Sequence, residues 1–116
     1  MNQKKIVVRI QSDPRTNHRA CEGIRIALGL AASDHQVSVL LTKQAVHILQ
    51  DDKTDWVDEE RLEHFLSAFE AFPNRIFVDT DSAATREILV EEEIAVPLSP
   101  EACAKKIAQA DCFFNF

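Results

Sequence analysis

In Arg75–Ile76–Phe77–Val78–Asp79–Thr80–Asp81–Ser82, three hydrophobic residues run straight into a polar turn, and Ala83–Ala84–Thr85–Arg86 continues as a helix. A short apolar run bounded by turn residues predicts a strand buried on both faces. Asp81 or Ser82 is then placed to cap the helix that follows. In an open parallel sheet the loop leaving such a strand lies at the carboxyl edge, where ligands collect. Asp79, Thr80 and Asp81 are therefore the first candidates for a site.

Working back from this stretch, residues 5–10 (Lys-Ile-Val-Val-Arg-Ile) read as a first strand, near-continuously apolar as a buried parallel strand should be. Arg9 interrupts the run and needs a carboxylate partner or a place on an interface. Gln11 to Asn17 is a loop, with Asn17 as the expected N-cap of a helix. That helix carries Ile24, Ala27, Leu28 and Ala31 at i, i+3, i+4 and i+7. Gly29 costs it helicity and is expected where it packs closely on the sheet. Gln36–Leu41 reads as a second strand and Lys43 to Gln50 as a short helix with Ala45, Val46 and Leu49 on one side. A polar segment, Asp51 to Trp56, leads to another amphipathic helix bearing Leu62, Phe65, Leu66 and Phe69, which Pro73–Asn74 ends.

Working forward, a helix of roughly residues 82–90 precedes a short fourth strand, Ile94–Ala95–Val96. Ser99–Pro100–Glu101 is a strong helix start: Ser as N-cap, Pro at the first position and an acid at the positive end of the dipole. This last helix is expected to turn Ala104, Ile107 and Ala108 inward, before a fifth strand over Cys112–Phe116. Strands alternating with helices predict an α/β fold, a three-layer α/β/α sandwich with a five-stranded, mainly parallel sheet. The length of 116 residues fits one domain over residues 1–116.

The formal charge of −6, without a Lys/Arg cluster, argues against a nucleic-acid partner. No apolar run approaches the ~20 residues that span a bilayer, and Met1–Lys5 leads directly into a strand without a signal-peptide core. No membrane association is expected. The three cysteines, Cys21, Cys103 and Cys112, are odd in number and lack metal-ligand spacing, which suggests a reduced, cytoplasmic protein. The four histidines follow no ligand spacing, so no metal site is expected, and the absence of a glycine-rich phosphate loop argues against a nucleotide. No cofactor is implied.

Among side chains able to do chemistry, Cys21 stands in the first turns of the first helix, with His18 three residues earlier on the same face. A helix N-terminus and an adjacent His lower a thiol pKa. Equally, a free cysteine is often a small buried hydrophobe. Cys103 and Cys112 read as structural. Asp13, Asp79 and Asp81 converge at the expected carboxyl edge with Lys43 nearby, a pattern open to a cation or small ligand and equally to loop and cap duties. Trp56, in a polar segment, is an interface candidate or a cover for the core edge. Phe114 and Phe116 belong to an apolar terminal segment that needs cover from its own domain or a neighbour.

The layout resembles the DsrE/DsrF-like family, which includes the Tus B, C and D subunits of a sulfur relay for tRNA thiolation. The matching features are the opening strand feeding a polar loop and helix, the second strand running into a short helix, and the long amphipathic helix. To these are added a third strand followed by Ala83–Ala84–Thr85–Arg86, and the ending Ala110–Asp111–Cys112–Phe113–Phe114–Asn115–Phe116. The resemblance implies that active members carry a sulfur-accepting cysteine at the end of strand three. Phe77 to Asp81 contain none, and acidic neighbours would raise a thiol's pKa and repel a persulfide anion. The expectation is thus a non-catalytic binding or scaffold subunit, homo-oligomeric, with partner proteins in sulfur metabolism. The alternatives are sulfur transfer through Cys21 with His18, and a ligand or cation module at the Asp13/Asp79/Asp81 edge.

Overall fold

The apolar runs of the sequence assemble into one five-stranded sheet, in a computed structural model that describes residues 3–50, 56–70 and 75–116. In chain order the elements are β1 (Lys5–Ile10), α1 (Arg19–Ala32), β2 (Gln36–Leu41), a 3₁₀ helix (Lys43–Leu49), α2 (Glu59–Glu70), β3 (Arg75–Asp79), α3 (Thr80–Thr85), β4 (Val96–Leu98), α4 (Pro100–Ala108) and β5 (Cys112–Asn115). The strand order is β4-β3-β2-β1-β5 and all four pairings are parallel. The expected three-layer α/β/α sandwich is the architecture observed.

Strand periodicity assigns side chains to the two faces. Ile6, Val8 and Ile10 join Val37, Val39, Leu41, Ile76 and Val78 in the main core, where α1, the 3₁₀ helix and α2 add Ile24, Ala27, Val46, Leu62 and Phe69. Val7 and Leu40 face the other way, beneath Cys103 and the partly buried Ile107 of α4. The connections from β1 to β4 all step in one direction, so right-handed crossovers put their helices on one face. The return from β4 to β5 steps back across the sheet, so α4 falls on the opposite face.

Several boundaries differ from the sequence reading. The helix expected over residues 82–90 is α3, only Thr80–Thr85. Glu87, with φ 55°, reverses the backbone, Ile88 N–H bonds to Ala83 O at 2.9 Å and Glu87 N–H to Ala84 O at 3.1 Å. These two bonds close a Schellman motif and stop the helix. The fourth strand is Val96–Leu98 rather than 94–96, because the N–H groups of Ile94 and Ala95 are taken by Glu91 O in a turn. Pro97 fits there because β4 is an edge strand.

On α4, Ile107 packs inward as expected, but Ala104 and Ala108 are exposed and Cys103 is the buried residue beside it. The N-cap of α1 is His18, with Asn17 Oδ1 accepting from Arg19 N–H at 2.7 Å just outside it. The short helix after β2 is 3₁₀ and ends at Leu49. Gly29 faces open space, whereas a Cβ on Gly23 would lie 2.9 Å from Ile10 Cγ1 and 3.2 Å from Phe116 Cβ. Gly23, not Gly29, is the close approach of helix to sheet. The Pro73–Asn74 helix stop and the segment 51–55 lie outside the described residues. No helix of the described residues is long and apolar enough to cross a membrane.

Candidate functional site

Three strands deliver their loops to the carboxyl edge: β1 to Asp13–Arg15, β2 to Thr42–Lys43, and β3 to Asp79–Ser82. Asp79, in extended conformation, is the N-cap of α3: Oδ1 accepts from Asp81 N–H at 3.4 Å. Neither Asp81 nor Ser82, the residues favoured by sequence, takes that place. Oδ2 of Asp79 accepts from the Ser82 hydroxyl at 2.6 Å, and Ser82 Oγ accepts in turn from Lys43 N–H at 2.8 Å. Lys43 reaches that position with φ 52°, in the left-handed region that costs a non-glycine residue. Its side chain is exposed, as is that of Asp81, while Thr80 is half-buried.

Further polar contacts tie this corner to the 3₁₀ helix. Arg86 donates from Nη1 to Ser82 O at 3.1 Å and from Nε to Gln44 Oε1 at 3.2 Å. Gln44 Oε1 also faces His47 Nε2 at 3.1 Å. His47 is buried, with Nδ1 2.8 Å from Gln50 Oε1. A histidine inside the apolar run Ala45–Val46–His47–Ile48 was the sequence signal for this cluster, and neither Gln44 nor His47 was singled out from sequence. The hydroxyl Oγ1 of Thr42 is buried with no hydrogen-bond partner among the described residues.

The carboxylates at this edge serve separate tasks. Asp13 forms an ion pair with Arg15 at 2.9 Å, and the Arg15 side-chain hydrogen bond holds its carboxyl below the usual aspartate value. Asp79 holds α3 and Ser82. Among the described residues no group of three His, Cys, Asp or Glu side chains is placed to hold a metal ion. Ser82 is buried and donates its proton to Asp79, and among the described residues no histidine bonds to its oxygen.

The three thiols sit in different surroundings. Cys21 is 2% exposed; desolvation raises its pKa, and the charges acting on it are those of Arg61, Asp58, Glu22 and Arg25. His18 is exposed at the start of α1. Burial, with a smaller contribution from Asp79, pushes the Cys103 thiol up to about 11. Cys112 is half-buried, and all three cysteines are free.

The aromatic candidates fall in different places. Trp56 is buried against the main core, where Val57 N–H bonds to Pro14 O at 2.7 Å and ties the loop after β1 to the approach to α2. Phe113 and Phe114 are about two-fifths exposed on edge strand β5, on opposite faces. Phe116 is half-buried, with the Arg19 guanidinium 5.9 Å from its ring. Arg9 finds its partners on β5: Asn115 Oδ1 at 2.8 Å and the Phe113 ring at 5.2 Å.

With this geometry in place, comparison with known proteins gives a family and similar solved structures. The model of the DsrE/DsrF-like family matches residues 4–116. In fold, the chain is similar to the ychN protein from E. coli, whose crystal structure superposes with a TM-score of 0.76 over 99% of this chain and 100% of that one, at 16% sequence identity. No curated protein matches the chain.

Proposed function

The chain belongs to the DsrE/DsrF-like family, and from that premise we propose that it works as a non-catalytic binding or scaffold subunit linked to intracellular sulfur relay. One observation carries this reading. At the carboxyl end of β3, where the family resemblance puts a sulfur-accepting cysteine, stands Asp79, whose carboxylate is engaged by Ser82 and by the first turn of α3. A persulfide carrier needs an accessible thiolate, and burial disfavours the ionised form of both Cys21 and Cys103. The subunit is proposed to be homo-oligomeric and cytoplasmic, with free thiols kept reduced. Partner proteins in sulfur metabolism would be its ligands.

Mass spectrometry of the intact native protein, before and after incubation with a persulfide donor, tests the proposal. The expected result is an oligomer that gains no sulfur. Added mass of one sulfur atom, lost in Cys21→Ser and kept when only Cys103 and Cys112 are replaced, would overturn it in favour of thiol chemistry at Cys21 with His18.

A further inference from the structure

A cavity opens between α2, the end of the 3₁₀ helix and the start of β3, reaching Gln50 at the margin of the carboxyl-edge cluster. It has a volume of about 540 Å³, and Ile48, Leu49, Leu66, Ile76 and Ile94 form its apolar lining. That size falls in the range of about 300–1,000 Å³ typical of binding pockets. A shallower extension of about 200 Å³ shares Leu49 and Gln50 with it and continues past Ile88 and Leu89. The groove exists because α3 ends after six residues. The chain from Arg86 to Ala95 returns irregularly and leaves this margin of the sheet open.

Two features set this groove apart from an ordinary surface depression. Leu89 is 80% exposed and Ile94 49%, large apolar side chains side by side with the cavity. Among the described residues, the charged side chains of the groove are Glu60 and Glu63 along the cavity and Glu87 and Glu91 along its extension, with His64 also on the cavity lining and no Lys or Arg. Glu60, Glu87 and Glu91 form no ion pair with a described residue. An apolar floor between two acidic walls is complementary to a segment that alternates apolar and cationic side chains.

We propose that this groove is the docking site for a basic amphipathic segment of a partner protein, its apolar side chains seated between Leu49, Leu66 and Ile94 and its Lys or Arg side chains on Glu60, Glu87 and Glu91. A second copy presenting the same face would set acidic wall against acidic wall in a chain of net charge −6, which like-charge repulsion disfavours. The inference rests on the scaffold reading above and gives the partner its chemistry.

The test is a titration of the full chain into a fluorescein-labelled peptide with Leu and Lys at helical spacing, followed by anisotropy at low and physiological salt. A peptide of the same composition with its apolar stripe scrambled is the control. The amphipathic peptide is expected to bind and to weaken as salt rises. Glu60→Lys/Glu91→Lys and Leu89→Ser/Ile94→Ser are each expected to weaken it at least tenfold, while Asp34→Lys/Glu101→Lys, far from the groove, leaves it unchanged. All these positions are exposed, and a thermal melt checks that each variant is folded. Absence of binding, equal binding of the scrambled peptide, or equal loss in the distal variant overturns the proposal. A change of subunit number in Leu89→Ser/Ile94→Ser overturns it too, and assigns the face to contact between copies. Sulfur loading is read separately: added sulfur defeats the scaffold reading whatever the peptide does, and failure to bind the peptide defeats the groove while the sulfur result stands.

Discussion

Gly23 and Gly29 share one helix and one amino-acid type, yet their surroundings demand opposite things. A methyl on Gly23 meets Ile10 at 2.9 Å and Phe116 Cβ at 3.2 Å, and Ile10 is fully buried in the core. A methyl on Gly29 meets nothing within 4 Å. Replacing glycine by alanine inside a helix gains about 0.5–1 kcal/mol where space allows. Overpacking a core contact costs about 1–3 kcal/mol. Gly29→Ala is therefore expected to raise the unfolding midpoint and Gly23→Ala to lower it, in urea titrations of the two variants. Equal effects would mean that the α1–β1 approach is looser than these distances. The sequence reading placed the close approach at Gly29, since periodicity says which face of a helix is apolar but not where a side chain of the sheet comes nearest.

At the scale of elements, stop and start signals were read unevenly. Ser99–Pro100–Glu101 was legible because the cap acts locally: Ser99 Oγ accepts from Ala102 N–H at 3.1 Å with Pro100 at the first helical position. Ser99→Ala should cost about 1 kcal/mol, seen as a lower midpoint in chemical denaturation, and Ser99→Asp should restore it. The end of α3 was not legible. Nothing in Arg86–Glu87–Ile88 announces a stop, and the Schellman turn forms with Glu87 in the left-handed region instead of a glycine. Packing of Ile88 on the main core accompanies that turn. The same shortfall of helix opens the groove between α2 and the 86–95 return. The carboxyl edge was half legible for a similar reason: Asp79 was found through its loop, but its place as cap and its bond to Ser82 depend on where β3 stops.

The molecule as a whole carries two opposite pH liabilities. Asp13, held below its usual value by the Arg15 hydrogen bond, favours the folded state above pH ~3.8, and that contribution is lost as pH falls further. Cys103 titrates at about 11 when folded and near 9.0 when exposed, so the unfolded chain loses its proton first and stability declines as pH rises from 9 toward 11. Midpoints measured across pH should fall on both sides of a neutral plateau. Asp13→Asn should flatten the acid limb and Cys103→Ala the alkaline one, and an unchanged limb in either variant would remove that residue from the account.

The sequence by itself determined the strands and helices, their order and the parallel sheet, because apolar periodicity and caps act over a few neighbouring residues. It also placed Asp79 on the loop after the third strand and showed that no cysteine stands there. Only the tertiary structure decided the rest. Asp13 went to Arg15 and Asp79 to Ser82, Trp56 and Cys21 turned into the core, and Gln44, His47 and Arg86 met at one corner. The acidic-walled groove arose where a short helix left the sheet margin open. The Asp13 and Asp79 pairs are local and turn on where β1 and β3 stop; the core burial, the Arg86–Gln44 bond and the groove depend on contacts between distant segments, whose distance in space one-dimensional spacing does not encode.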